Sequence, residues 1–236
     1  SASNSIFMGN NAGINSTSAS NSNFFGLSAG DSATYAYDSN FLGLNAGQYA
    51  TGANDSNFFG NSAGIYATSA SNSNFFGFDA GYNATSASPS TLFGFNAGYG
   101  AKYARDSNFF GTAAGQSAMG ASNSIFMGNT AGSNATSSSN SIFIGQSAGV
   151  NDTVDNTTNS DDFSILIGKS TSTGGFKNSI ALGGSAVNTA TNQFMIGSTT
   201  RRIDTLVFNG GTGNTCSIVT GTGITCSSDE RLKTNI

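Results

Sequence analysis

Large apolar side chains come in adjacent pairs along the first 149 residues, and the pairs recur every 17 residues. They run Phe7-Met8, Phe24-Phe25, Phe41-Leu42, Phe58-Phe59 and onward to Phe143-Ile144. A glycine closes each pair, from Gly9, Gly26 and Gly43 through to Gly145. Around it the frame reads N/D-S-x-F-φ-G-x-x-A-G, with φ a large apolar residue. One short unit held in phase nine times predicts stacked copies of a single supersecondary element. A site that needs different side chains converging from distant places is poorly served by such a plan.

The Ser-x-Phe-φ-Gly stretch is short, aromatic-rich and bounded by Asn and Gly, which predicts a strand. Helix is disfavoured, because glycine recurs too often and no apolar stripe survives at 3.6 spacing. The following A-G-x-x-A-T portion, with Thr17, Thr34, Thr51, Thr68, Thr85 and Thr136 in phase, suits a second tightly packed strand or bend. Two strands and two turns per unit make one coil of a β-solenoid (β-roll), with like residues stacked ~4.8 Å apart. Both members of each apolar pair cannot face the same side of a strand. One fills the coil interior, and the other forms an exposed ladder unless a copy of the chain covers it. The prediction is an all-β, homotrimeric β-solenoid fibre.

Other columns keep the same phase. Ser5 through Ser141 precede each glycine by four residues, and Asn4, Asn21, Asp38, Asp55, Asn72, Asp106, Asn123 and Asn140 precede it by five, with Pro89 the one departure. The second column predicts an Asx turn ladder. Calcium-binding solenoids instead repeat G-G-x-G-x-D. The two fixed glycines of each unit predict corners with positive φ and close backbone approach.

The order changes after the shaft at 1–149. Residues 150–162 carry the polar, acidic run VNDTVDNTTNSDD, and read as an inserted loop. Shorter coils follow over 163–197, with glycines at 168, 183 and 197. Residues 198–228 break the pattern and predict a small C-terminal β cap. There Arg201 and Arg202 could bind an anion or pair with Asp204 across chains. If Thr220-Gly221-Thr222 is a hairpin loop, Cys216 faces Cys226 and Ile218 faces Ile224. That arrangement suits a disulfide in an oxidising, extracellular setting, or two reduced thiols on a small apolar face.

Composition narrows the function. Only 8% of residues are charged, the net charge is -4, and there is no His or Trp. Lys102 and Arg105 are the only basic residues before 169, which argues against a nucleic-acid track or a polybasic membrane motif. No run approaches the ~20 apolar residues of a membrane helix. Without His, CxxC or clustered acids, no metal or other cofactor is expected. The frame opens mid-repeat at Ser1, as in a piece of a longer protein.

The last residues, SSDERLKTNI, resemble the start of the C-terminal intramolecular chaperone of endosialidase-type phage tail spikes and tail fibres. Ser228, Asp229, Arg231, Lys233 and Ile236 match its Ser-Asp-x-Arg-x-Lys signature and the apolar residue three positions on. The upstream NSIALG unit is similar to coils in the heads of trimeric autotransporter adhesins. The 17-residue coils resemble repeats of phage tail fibres and of tail-fibre-like bacterial surface adhesins. The resemblance implies a trimer displayed on a virion tail, a bacterial surface or in the periplasmic space. It also implies a self-cleaved Ser228–Asp229 bond, with Ser228 as nucleophile and Lys233 as base. Residues 229–236 would open the chaperone, and its body is needed for cleavage.

These readings converge on an attachment fibre whose partners are itself and a cell-surface glycan or protein receptor. Arg201 and Arg202 at the tip are the leading binding candidates. Tyr49, Tyr66, Tyr82 and Tyr99 form a second set, as a sugar platform or as a ladder that only stabilises stacking. An ice-binding solenoid is the alternative from another class, but Lys102 and Met119 break the Thr column and TxT arrays are missing. A tail-spike glycosidase needs paired carboxylates, and the repeats hold only scattered Asp, so no enzyme is expected beyond autocleavage.

Overall fold

Each apolar pair lies on a short strand, and the strands stack in parallel. The computed structural model describes residues 3–154 and 162–200, and beyond them the backbones of three further strands. In the 17-residue coils these are β1 (Ile6–Met8), β2 (Asn23–Phe25), β3 (Asn40–Leu42), β4 (Asn57–Phe59), β5 (Asn74–Phe76), β6 (Ser90–Phe93), β7 (Ser107–Phe110), β8 (Ile125–Met127) and β9 (Ser141–Ile144). The shorter coils add β10 (Ser164–Ile167), β11 (Ser179–Leu182) and β12 (Phe194–Ile196). All twelve form one sheet in chain order, every pairing parallel and in repeat register, such as Phe41 opposite Phe58. No helix occurs among the described residues. The chain is an all-β solenoid.

The interior is built from one large side chain per coil. Phe24, Phe41, Phe58, Phe75, Phe109, Phe126 and Phe143 are fully buried, with Leu92 taking the same place once. From Phe7 to Phe58 successive ring centroids are 4.8 Å apart and within 7° of parallel. Full burial of such a ring is worth roughly 1.5–3 kcal/mol, and each aromatic pair adds about 0.5–1.5 kcal/mol. Three alanine columns, represented by Ala46, Ala50 and Ala53, fill the rest. A larger residue there would meet the next wall.

The expected second strand is absent, and three overlapping turns replace it. In the coil after β3, Ala46 N–H donates to Gly43 O, Gln48 N–H to Asn45 O, and Ala50 N–H to Gly47 O. The third residue of each turn (Asn45, Gly47 and Tyr49) has positive φ, as the type II pattern demands. Gly43, Gly52 and Asp55 bring the positive-φ positions of this coil to six. Thr34, Thr51 and Thr68 pair only as single-residue bridges. Small residues in this stretch therefore serve tight turns. The Asx column is left-handed too, with Asn21 at φ 56° and Asp38 at φ 56°.

The Ser column closes the interior. Ser39 Oγ donates to Ala53 O at 2.7 Å and accepts Ser56 N–H at 3.2 Å. The same two bonds recur up the stack, for example at Ser56 and Ser73. One buried hydroxyl thus satisfies a backbone donor and a backbone acceptor that the narrow coil leaves unpaired. The two glycines of the frame answer different needs. A Cβ on Gly43 (φ +139°) would lie 2.6 Å from the Gly60 carbonyl carbon and closer still to its oxygen. One on Gly64 (φ +67°) would strike the Phe58 ring.

Where the coils shorten, the core shrinks with them: Leu166, Ala181 and Met195 occupy the Phe column. At this junction Asp152 replaces an interior alanine and is buried. Its carboxylate accepts Thr173 N–H at 2.7 Å, Ser172 Oγ at 3.2 Å and the Thr173 hydroxyl. Buried Asp162 pairs with Lys177 at 3.2 Å. Beyond the solenoid, β13 (Thr205–Asn209), β14 (Thr215–Val219) and β15 (Gly223–Cys226) form a separate antiparallel sheet.

Candidate functional site

Three surfaces follow from this backbone. The first is the outer face of the parallel sheet. Because side chains alternate along a strand, the buried Phe of each coil leaves its apolar neighbour pointing outward. Met8, Leu42, Phe93, Met127 and Ile167 are exposed, Phe93 by 56%. Leu27, Leu44, Phe78 and Phe95 extend the apolar surface just past the glycine corner, and Phe78 stacks on Phe95 at 5.3 Å. Beside them runs an amide ladder, in which Asn23, Asn40 and Asn57 each donate Nδ2 to the Oδ1 of the next Asn at 2.8–2.9 Å. These amides hydrogen-bond to one another from coil to coil.

The second surface carries the tyrosines. Tyr49 stacks on Tyr66 at 5.0 Å and 4°, and Tyr82 on Tyr99 at 5.0 Å and 5°. Tyr66 meets Tyr82 edge-on at 6.0 Å and 78°, so the two pairs join into one strip of four rings. Burial, then the phenols of Tyr99 and Tyr66 and the Asp79 carboxylate, raise the Tyr82 pKa above its ordinary value. The sequence alone places each stacked pair but not the edge contact, because Tyr82 sits one column away from Tyr66.

The third surface is a groove of about 350 Å³ on the shorter coils, lined by Phe163, Asn178, Ile180, Asn192, Gln193 and Phe194. Nothing in the repeat pattern marks it; the departure of Phe163 and Phe194 from their columns is the only sequence signal.

Of the sequence-derived candidates, Arg201, Arg202, Ser228 and Lys233 lie outside the described residues. Cys216 and Cys226 lie opposite each other in the β14–β15 register, as Ile218 and Ile224 do. Among the described residues no cluster of three or more metal-ligating side chains occurs, and no helix is long and apolar enough to cross a membrane. Comparison with protein-family models, curated proteins and solved structures finds no match for this chain.

Proposed function

We propose that the chain is the shaft and tip of an extracellular attachment fibre, assembled as a homotrimer. It would sit on a phage tail or a bacterial surface and hold a receptor-binding end away from the particle or cell. The observation that carries this reading is the outward apolar ladder, which continues from Met8 to Ile196 without a charged residue. An exposed apolar face of that length is costly in water unless a partner covers it. A second copy has the same coil rise, so it can match the ladder coil for coil. Three copies around the long axis close the assembly, as symmetric oligomers do.

The resemblance of residues 228–236 to a self-cleaving chaperone supports the same reading. On it, Ser228 and Lys233 act once, in maturation, and the fibre is otherwise no enzyme. The receptor would be a cell-surface glycan or protein engaged near Arg201 and Arg202. Light scattering tests the assembly: a trimer mass is expected, and a stable soluble monomer would end the proposal. Phe59→Asp should block assembly, whereas Ser69→Asp, at an exposed turn after the Thr column, should be tolerated. Equal behaviour of the two variants would mean that another face is covered.

A further inference from the structure

The repeated coils act as internal controls for one another, and the tyrosines depart from them. Tyr49 and Tyr66 occupy a left-handed position (φ 56° and 55°). The other coils fill that column with Asn15, Ser32, Asn83, Gly100, Ser117, Asn134 and Asn151, all with positive φ. Gly and Asn take this conformation most readily, and a bulky aromatic is strained in it, as it is at Tyr35 and Tyr103 of the same stretch. Coils without tyrosine stack equally well, so the fold does not ask for these rings. Both are exposed, Tyr49 by 41% and Tyr66 by 44%. Among the described residues, their hydroxyls and those of Tyr82 and Tyr99 have no hydrogen-bond partner.

Backbone strain at Tyr49 and Tyr66, in exposed rings that neighbouring coils do without, is accounted for by a contact outside the chain. We infer that the strip Tyr49–Tyr66–Tyr82–Tyr99 is a lateral binding site for a neutral glycan chain lying along the rod.

The geometry favours this occupant over others. At a centroid separation of 5.0 Å, parallel rings in contact at ~3.5 Å must be offset sideways by a similar amount. Part of each face, its edge and its hydroxyl therefore stay open. A sugar ring has roughly the footprint of a phenol and matches it with an apolar face and hydroxyls at the rim. The rings come one per coil, spaced 5.0, 6.0 and 5.0 Å. An extended peptide repeats on one face at roughly 6.5–7 Å, which loses register along the strip. A nucleic-acid strand would need a basic track, and the four coils of the strip hold only Lys102 and Arg105, both in the last of them, against Asp55, Asp79 and Asp106. A second copy of the chain would use contacts along the whole rod, as the apolar ladder offers. All seven tyrosines instead fall between residues 35 and 103.

The site goes beyond the tip-attachment reading and does not depend on it. The chain has no Trp, so its intrinsic emission comes mainly from its seven tyrosines, four of them in the strip. The assembled full chain is titrated with cellohexaose, chitohexaose and maltohexaose, with glucose and sialyllactose as controls. A saturable emission change with at least one hexaose, and none with glucose, is expected. The double variant Tyr49→Asn/Tyr66→Asn installs the residue that neighbouring coils carry. It should keep its fold and assembly state but bind at least about tenfold more weakly. Silence with all three hexaoses, an unchanged affinity in the double variant, or a response that follows protein concentration and not sugar would overturn the site. Arg201→Ser/Arg202→Ser separates the two readings. It should leave hexaose binding intact, and loss of cell attachment in that variant alone bears on the tip.

Discussion

Replacing Gly43 by alanine is expected to cost the rod several times what the same change costs at Gly52. Both glycines have positive φ, +139° and +62°, but their surroundings differ. At Gly52 a Cβ meets nothing closer than 3.7 Å, leaving only the left-handed penalty of about 1 kcal/mol. At Gly43 the conformation belongs to a region used almost only by glycine, worth about 1–3 kcal/mol. The added methyl also collides with the Gly60 carbonyl of the next coil. That backbone is pinned on both sides, so overpacking adds about 1–3 kcal/mol more. The sum is about 4 kcal/mol, against about 1 at Gly52. Urea unfolding of the two variants measures the difference. Amide exchange at Gly60, whose N–H donates to Leu42 O at 2.8 Å, reports whether the seam opens locally. Equal destabilisation would refute the argument that close coil approach, over and above φ, dictates glycine at this column.

Four further outcomes are expected. Ser56→Ala removes the acceptor of Ser73 N–H and the donor to Ala70 O, and should cost about 1–3 kcal/mol for each buried group left unpaired in chemical unfolding. Phe58→Ala, in a ring stacked on both sides at 4.8 and 4.6 Å, should cost about 3–5 kcal/mol; a loss under 1 kcal/mol would mean that the stack collapses to fill the gap. Burial raises the Asp79 pKa above its unfolded value, so its ionised form opposes folding. Asp79→Asn should therefore stabilise at neutral pH, and the advantage should shrink as pH falls through the folded pKa of the wild type. Thermal hysteresis should be absent, because Lys102 and Met119 interrupt the bridged Thr column; strong hysteresis would favour the ice-binding alternative.

The columns legible in the sequence are those fixed by burial or by backbone approach. Phe58 and its equivalents, the glycines after each pair and the Asx corners all announce themselves by phase. The alternation rule also places Phe59 outside before any coordinates are seen. The turn run after β3 is less legible, because alanine, threonine and glycine suit a narrow strand and a tight turn equally. Only the positive φ at Asn45, Gly47 and Tyr49 separates the two. The serine column is visible as invariance, yet its double hydrogen bond depends on how far the coil narrows at Ala53 and Ala70. Asp152 falls by phase in an alanine column, 17 residues after Ala135, but its partners Ser172 and Thr173 emerge only once the register of the shortened coils is known. The strain on Tyr49 and Tyr66 is hidden for a similar reason, since a residue's cost in a turn is invisible until the turn is located.

The seams between coils have a mechanical consequence. Gly30 N–H to Ala46 O, Thr34 N–H to Ala50 O, Gly43 N–H to Phe25 O and Asn45 N–H to Leu27 O all lie between one coil and the next. A pull on the two ends of a single chain loads such a seam along its bonds, one coil at a time. Each released coil of 17 residues would lengthen the chain by on the order of 55 Å while leaving the next seam intact. Stretched singly in a force instrument, the shaft would unspool in near-equal steps, with shorter steps from the coils of 15 and 14 residues. On the attachment reading proposed above, such a shaft would yield gradually under a sudden load and not break at once.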